Sequence, residues 1–129
     1  MKKLIATLLL TLSPLVFAED ASCLAMNMYY EAHAEKAKNA RRAVAFVTLN
    51  RLKANPDKYQ GSVCKVVYEK NQFSWTRGKT KKPIDLATWS EYYEKANYLL
   101  ANYDRLKDPT NGATHFHATW MPDFPPALS

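Results

Sequence analysis

The chain has 129 residues, 47% of them hydrophobic and 23% charged, with a formal net charge of +6 at pH 7. That length bounds it to one small domain, near the lower end of what buries a full core without a covalent staple. The basic excess favours anionic partners. Nucleic acid is nevertheless a poor candidate, because Lys36, Lys38, Arg41, Arg42, Lys79, Lys81 and Lys82 are scattered over several elements with no nucleic-acid-binding signature, as a solvated face would be.

Met1-Lys2-Lys3 gives a short positive start, and Leu4 to Phe17 is an apolar run too short to span a bilayer comfortably. Val16-Phe17-Ala18 suits processing, so residues 1–18 read as a signal peptide and 19–129 as the mature catalytic domain, secreted or periplasmic. A retained membrane anchor is the competing reading, disfavoured by Pro14 and the small Ala18. No other segment is apolar enough to cross a membrane, so no stable insertion is expected after cleavage. Cleavage removes two lysines and no acids, which takes the charge from +6 to +4. Cys23 and Cys64 are the two cysteines, and export to an oxidising space makes a bond between them the natural expectation, with two buried free thiols as the alternative.

A first helix is expected from about Cys23 to Ala34, carrying Leu24, Met28 and Glu31. Residues Asn39 to Lys53 repeat apolar positions at a helical period, with Asn39 as N-cap and Asn55-Pro56-Asp57 ending the helix. Gly61-Ser62 reads as a turn and cap for a short helix, Val63 to Tyr68. Gln72-Phe73-Ser74-Trp75 is brief and aromatic, and Arg77 to Lys82 is a polar loop or short hairpin turn. Pro83 opens the longest helix, on which Tyr92, Tyr93, Tyr98 and Tyr103 are expected to pack. After the turn at Asp108-Pro109-Thr110-Asn111-Gly112, residues Ala113 to Ala118 alternate like a strand.

Glu31 is the residue with chemical promise. A carboxyl beside Tyr29 and Tyr30 at the edge of an apolar helical run is disfavoured in its charged form. Its pKa therefore rises toward what a general acid needs to protonate a departing glycosidic oxygen.

Five blocks carry a resemblance: Asn27-Met28-Tyr29-Tyr30-Glu31-Ala32-His33-Ala34-Glu35; Ala43-Val44-Ala45-Phe46-Val47-Thr48-Leu49-Asn50-Arg51; Ser62-Val63-Cys64-Lys65-Val66-Val67-Tyr68; Gln72-Phe73-Ser74-Trp75; and Ala113-Thr114-His115-Phe116-His117. In this order and spacing they resemble the SleB-like cell-wall hydrolases, the spore-cortex-lytic family, over nearly the whole mature chain. The resemblance implies an α+β, mainly α fold: a lysozyme-like single domain close to the lytic transglycosylase core, with a small β element. It also implies one catalytic glutamate, matched by Glu31, with no metal and no cofactor. Two departures stand out. His33-Ala34 replaces the glycine usual before the second glutamate, and the sequence stops at Pro125-Pro126-Ala127-Leu128-Ser129 where the resemblance implies a further strand, so either a genuinely short variant or an incomplete C-terminus is expected.

Around Glu31 the expected substrate-binding residues are Tyr30, Glu35, Gln72, Phe73, Ser74, Trp75, His115 and His117. Glu35 lies four residues on, its Cβ roughly 6 Å from that of Glu31 on the same helical face, and is read as cleft-positioning. Gln72 and Ser74 suit sugar hydroxyls or N-acetyl groups, and Phe73 and Trp75 suit pyranose faces or, for Phe73, equally the core. The expected reaction is cleavage of the β-1,4 bond between N-acetylmuramic acid and N-acetylglucosamine, as a lytic transglycosylase acting on peptidoglycan strands as a monomer. Two alternatives remain. One is a zinc N-acetylmuramoyl-L-alanine amidase using His33, His115 and His117; the other is a secreted glycan-binding module without catalysis.

Overall fold

The computed structural model describes residues 13–32, 39–70, 72–78 and 81–115. Helix α1 spans Ser13–Ala32. It begins upstream of the expected Cys23 and runs through the Ala18–Glu19 junction, because no glycine or proline interrupts residues 15–32, and Pro14 falls in the first turn, where no amide donor is needed. From Ala18 onward, Ala18 and Glu19 are exposed and Ala21 is the first buried residue.

Helix α2, Ala40–Ala54, starts at Asn39, whose carbonyl accepts from the Ala43 amide at 2.9 Å but whose side chain makes no capping bond. It stops at Asn55, before Pro56, since a residue preceding proline is pushed out of helical geometry. A further short helix, α3 (Pro56–Tyr59), follows where only a helix stop was expected, with Pro56 supplying its preset first position. The chain then turns through left-handed Gln60 and Gly61, at φ 52° and 68°. Helix α4, Val63–Val67, is capped as expected by Ser62, which accepts from the Lys65 amide at 3.2 Å. Asp20 of α1 accepts from the Val63 amide at 3.1 Å, so the first turn of α4 is completed by α1.

A 3₁₀ helix, η1 (Ser74–Arg77), occupies the brief aromatic segment. The longest expected helix is α5, Leu86–Asn102. It starts three residues after Pro83, because the Asp85 carboxylate accepts from the Thr88 amide at 3.1 Å and provides the cap. A second 3₁₀ turn, η2 (Tyr103–Arg105), leads to the 108–112 turn. No strand occurs among the described residues. Residues 113–115 are irregular, and the Thr114 carbonyl that a strand would offer to a ladder accepts instead from Arg51; residues 116–118 of the expected strand lie outside the described residues.

Helix α1 is the axis of the domain and packs on α5, α2 and α4. Leu24, Ala25, Met28, Phe46, Leu49, Val63, Val67, Ala96 and Leu99 close one core around it. α2 is buried more fully than a one-sided helix, at Val44 through Leu49 consecutively, since it is covered from several directions. Cys23 and Cys64 are disulfide-bonded, Cα atoms 5.2 Å apart, joining α1 to α4. On the last long helix Tyr92 and Tyr93 pack against the core, and Tyr103 donates to the Asn50 side chain at 2.5 Å. Tyr98 departs from the packing expectation: it lies on the outer face, 56% exposed.

Candidate active site

Asn27, Tyr30 and Glu31 occupy positions i, i+3 and i+4 on α1 and so share one face. Asn27 is fully buried and does two jobs. Its amide nitrogen donates to Thr48 Oγ1 at 2.9 Å, and its amide oxygen accepts from Trp75 Nε1 at 2.7 Å. Thr48 Oγ1 in turn donates to the Val44 carbonyl at 2.8 Å, so every member of the chain from α2 to η1 has a partner. The indole of Trp75 is thereby held to α1, one helical turn before Glu31.

The aromatic groups around that indole form a wall. Tyr30 stacks on Trp75, centroids 5.0 Å apart at 30°, and its hydroxyl donates to the Lys82 carbonyl at 2.7 Å. Tyr68 meets Trp75 edge-on at 5.7 Å, and the Lys81 ammonium lies 5.5 Å from its ring. Tyr29 packs edge-on against Tyr30 at 5.1 Å and against Tyr92 at 5.4 Å, which joins the wall to α5. Burial, then the neighbouring Tyr29 and Tyr68 hydroxyls, push the Tyr30 hydroxyl up, so it stays a neutral donor.

Glu31 is half-buried beside this wall. Burial alone pushes its carboxyl up from the ordinary carboxylate range. Among the described residues no cation compensates and no group donates to the carboxylate; such an acid holds its proton to higher pH. A hollow of about 420 Å³ between the start of α2 and α5 does not count Glu31 among its lining, and its Arg41 is already paired with Glu91 at 3.4 Å.

The expected binding residues divide into two groups. Tyr30 and Trp75 stand together next to Glu31. Gln72 and His115 instead line a separate cavity of about 240 Å³ with Arg51 and Glu69. Phe73 separates from both as a sugar contact: it is fully buried, 0% exposed, beneath the Arg51 guanidinium at 5.2 Å, so its ring belongs to the core. Ser74 is exposed at the start of η1. Glu35, His117 and His33 lie outside the described residues. Among the described residues no cluster of three His, Cys, Asp or Glu side chains is placed to hold a metal.

Asn27, Thr48, Tyr68 and Arg51 are the contributors that pattern reading did not assign. A buried asparagine in an apolar run carries no periodic signal. Its importance follows only from the two groups it happens to meet.

The sequence pattern of the Cell Wall Hydrolase family matches residues 35–127. The chain belongs to that family. The match covers α2 through the 108–112 turn, including Arg51, Gln72 to Trp75 and His115, and begins four residues after Glu31. No curated protein and no solved structure matches the chain. A cell wall hydrolase therefore presents a burial-raised carboxyl against a hydrogen-bonded aromatic wall. No described helix is long and apolar enough to cross a membrane.

Proposed function

We propose that this cell wall hydrolase cleaves the β-1,4 bond between N-acetylmuramic acid and N-acetylglucosamine in peptidoglycan, with Glu31 as its acid and base. The observation that carries the reading is the Glu31 carboxyl, raised by burial with no cation among the described residues to lower it, next to the Tyr30–Trp75 stack. Glu31 gives its proton to the glycosidic oxygen as the C1–O bond breaks and positive charge develops at C1 of the muramoyl ring. The carboxylate left behind then takes the proton of the muramoyl 6-hydroxyl as that oxygen bonds to C1. The products are a 1,6-anhydromuramoyl end and a free N-acetylglucosamine 4-hydroxyl. Trp75 and Tyr30 supply apolar faces for a pyranose ring, and the exposed Ser74 lies one residue before Trp75. Phe73 belongs to the core.

Export fits the same reading. Cutting after Ala18 leaves Glu19 and Asp20 in the new first turn of α1, where negative charge suits the helix dipole.

Mass spectrometry of soluble muropeptides released by the purified protein tests the proposal. Anhydromuramoyl products are expected; reducing ends would mean that water attacks instead, and peptide release without glycan cleavage would indicate an amidase. Glu31→Gln should lower the rate at least about a hundredfold while the fold survives, because the amide cannot donate the proton. A Gln variant with near-normal activity would remove Glu31 from the mechanism.

A further inference from the structure

The end of α2 carries a cation that the protein uses only in part. Arg51 is 5% exposed, and its Nε and Nη2 both donate to the Thr114 carbonyl, at 2.8 and 2.5 Å. Nη1 is equally buried, and among the described residues no group accepts from it. Leaving a charged donor unpaired in a buried setting is costly, so an acceptor arriving from outside would gain where water has been excluded.

Arg51 lines the cavity of about 240 Å³ that also holds Gln72 and His115. The other charges facing it are already satisfied. One Glu69 oxygen is 2.7 Å from the Lys58 ammonium and the other accepts from the Tyr59 hydroxyl at 2.6 Å, so Glu69 is not available to Nη1. Burial, then the Arg51 charge, pulls the His115 imidazole down, which leaves it neutral near pH 7. The cavity thus has a net charge of one positive unit, set by a buried guanidinium that is not fully paired, and a side-chain amide beside it. Those features match a small planar monoanion, since a carboxylate oxygen pairs with a guanidinium N–H in plane.

We propose that this cavity is a subsite for a free carboxylate of the substrate, of the kind that the peptide stems of peptidoglycan carry, with the Arg51 guanidinium as its cation and Gln72 beside it. The proposal rests on the cell wall being the substrate. It adds that the enzyme reads the peptide as well as the glycan.

The test uses the full mature chain carrying Glu31→Gln, so that nothing is turned over, and two probes: N-acetylmuramoyl-L-alanyl-D-glutamate and the same compound with both carboxyls amidated. Binding and the His115 titration are followed by NMR, with His115→Gln assigning the resonance. The acid is expected to bind at least tenfold more tightly than the diamide and to raise the His115 pKa, because a bound carboxylate offsets the Arg51 charge. Arg51→Gln should abolish the preference. If that variant does not fold, the acid and amide comparison on the Arg51 protein decides alone. Equal binding of the two probes, an acid preference that leaves His115 unmoved, or tighter binding of a glycerol phosphodiester would each overturn the proposal. Failure of the glycan-cleavage reading would show separately, as retained activity of Glu31→Gln on strands.

Discussion

Breaking the Cys23–Cys64 bond should weaken the fold far more than the chemistry. The bond closes a loop with a sequence separation of 41. In the chain-entropy relation a loop of that size removes about 13 cal/mol/K from the unfolded ensemble, or about 4 kcal/mol at 25 °C. For a domain of about 110 residues the unfolding entropy near the midpoint is about 0.23 kcal/mol/K, so Cys64→Ser should lower Tm by about 17 °C. Cys23 lies two helical turns before Glu31, about 12 Å along the axis, and the Asn27–Trp75 and Asn27–Thr48 bonds still hold the wall to α1 and α2 when the disulfide is gone. Activity measured well below the lowered Tm should therefore stay within a few-fold of wild type. Calorimetry of oxidised wild type, Cys23→Ser, Cys64→Ser and the double variant provides the assay. Both single variants and the double should fall by the same amount, since each removes the same bond. Two titratable thiols in the denatured, non-reduced wild type, or a Tm loss of only a few degrees, would refute the reasoning.

Asn27→Ala leaves the Trp75 indole N–H without its acceptor and Thr48 Oγ1 without its donor and should cost roughly 2 to 6 kcal/mol in urea unfolding, at about 1 to 3 kcal/mol per unsatisfied buried group; activity should also drop, because the wall loses its anchor. For Glu31, a folded pKa raised above the unfolded value of about 4.3 means that the native state binds the proton more tightly. Its stabilising contribution is present below that value and lost as pH rises through the folded pKa. Glu31→Gln should match wild type in stability at about pH 4 and exceed it at pH 7; a pH-independent difference in denaturation midpoints would contradict burial as the cause. Activity should persist after exhaustive chelation, because protonation by a carboxyl needs no Lewis acid. Loss with EDTA and recovery with zinc would transfer the chemistry to the histidines.

How far the sequence reaches depends on the range of the interaction that decides each feature. Helices α2, α4 and α5 were legible because their signals are local: an apolar period, a Ser62 cap, and a stop before Pro56. The cysteine pairing was legible because there were only two candidates in the chain. Glu31 stood out because an acid beside two tyrosines in an apolar helix has few comfortable environments. The start of α5 was misplaced by two competing local signals, in which the Asp85 side chain prevailed over Pro83. What tertiary structure decided was everything set by partners far along the chain. Phe73 and Trp75 look interchangeable as aromatics two residues apart, yet one lies under Arg51 in the core and the other is held by Asn27 in the wall beside Tyr30. Gln72 and His115, expected beside Glu31, meet instead at Arg51, because the Thr114 carbonyl is bound by the guanidinium across 63 residues of sequence. Local pattern records what each residue prefers. Which of those preferences is met depends on the few groups that folding brings within hydrogen-bond reach, and those are properties of the closed core.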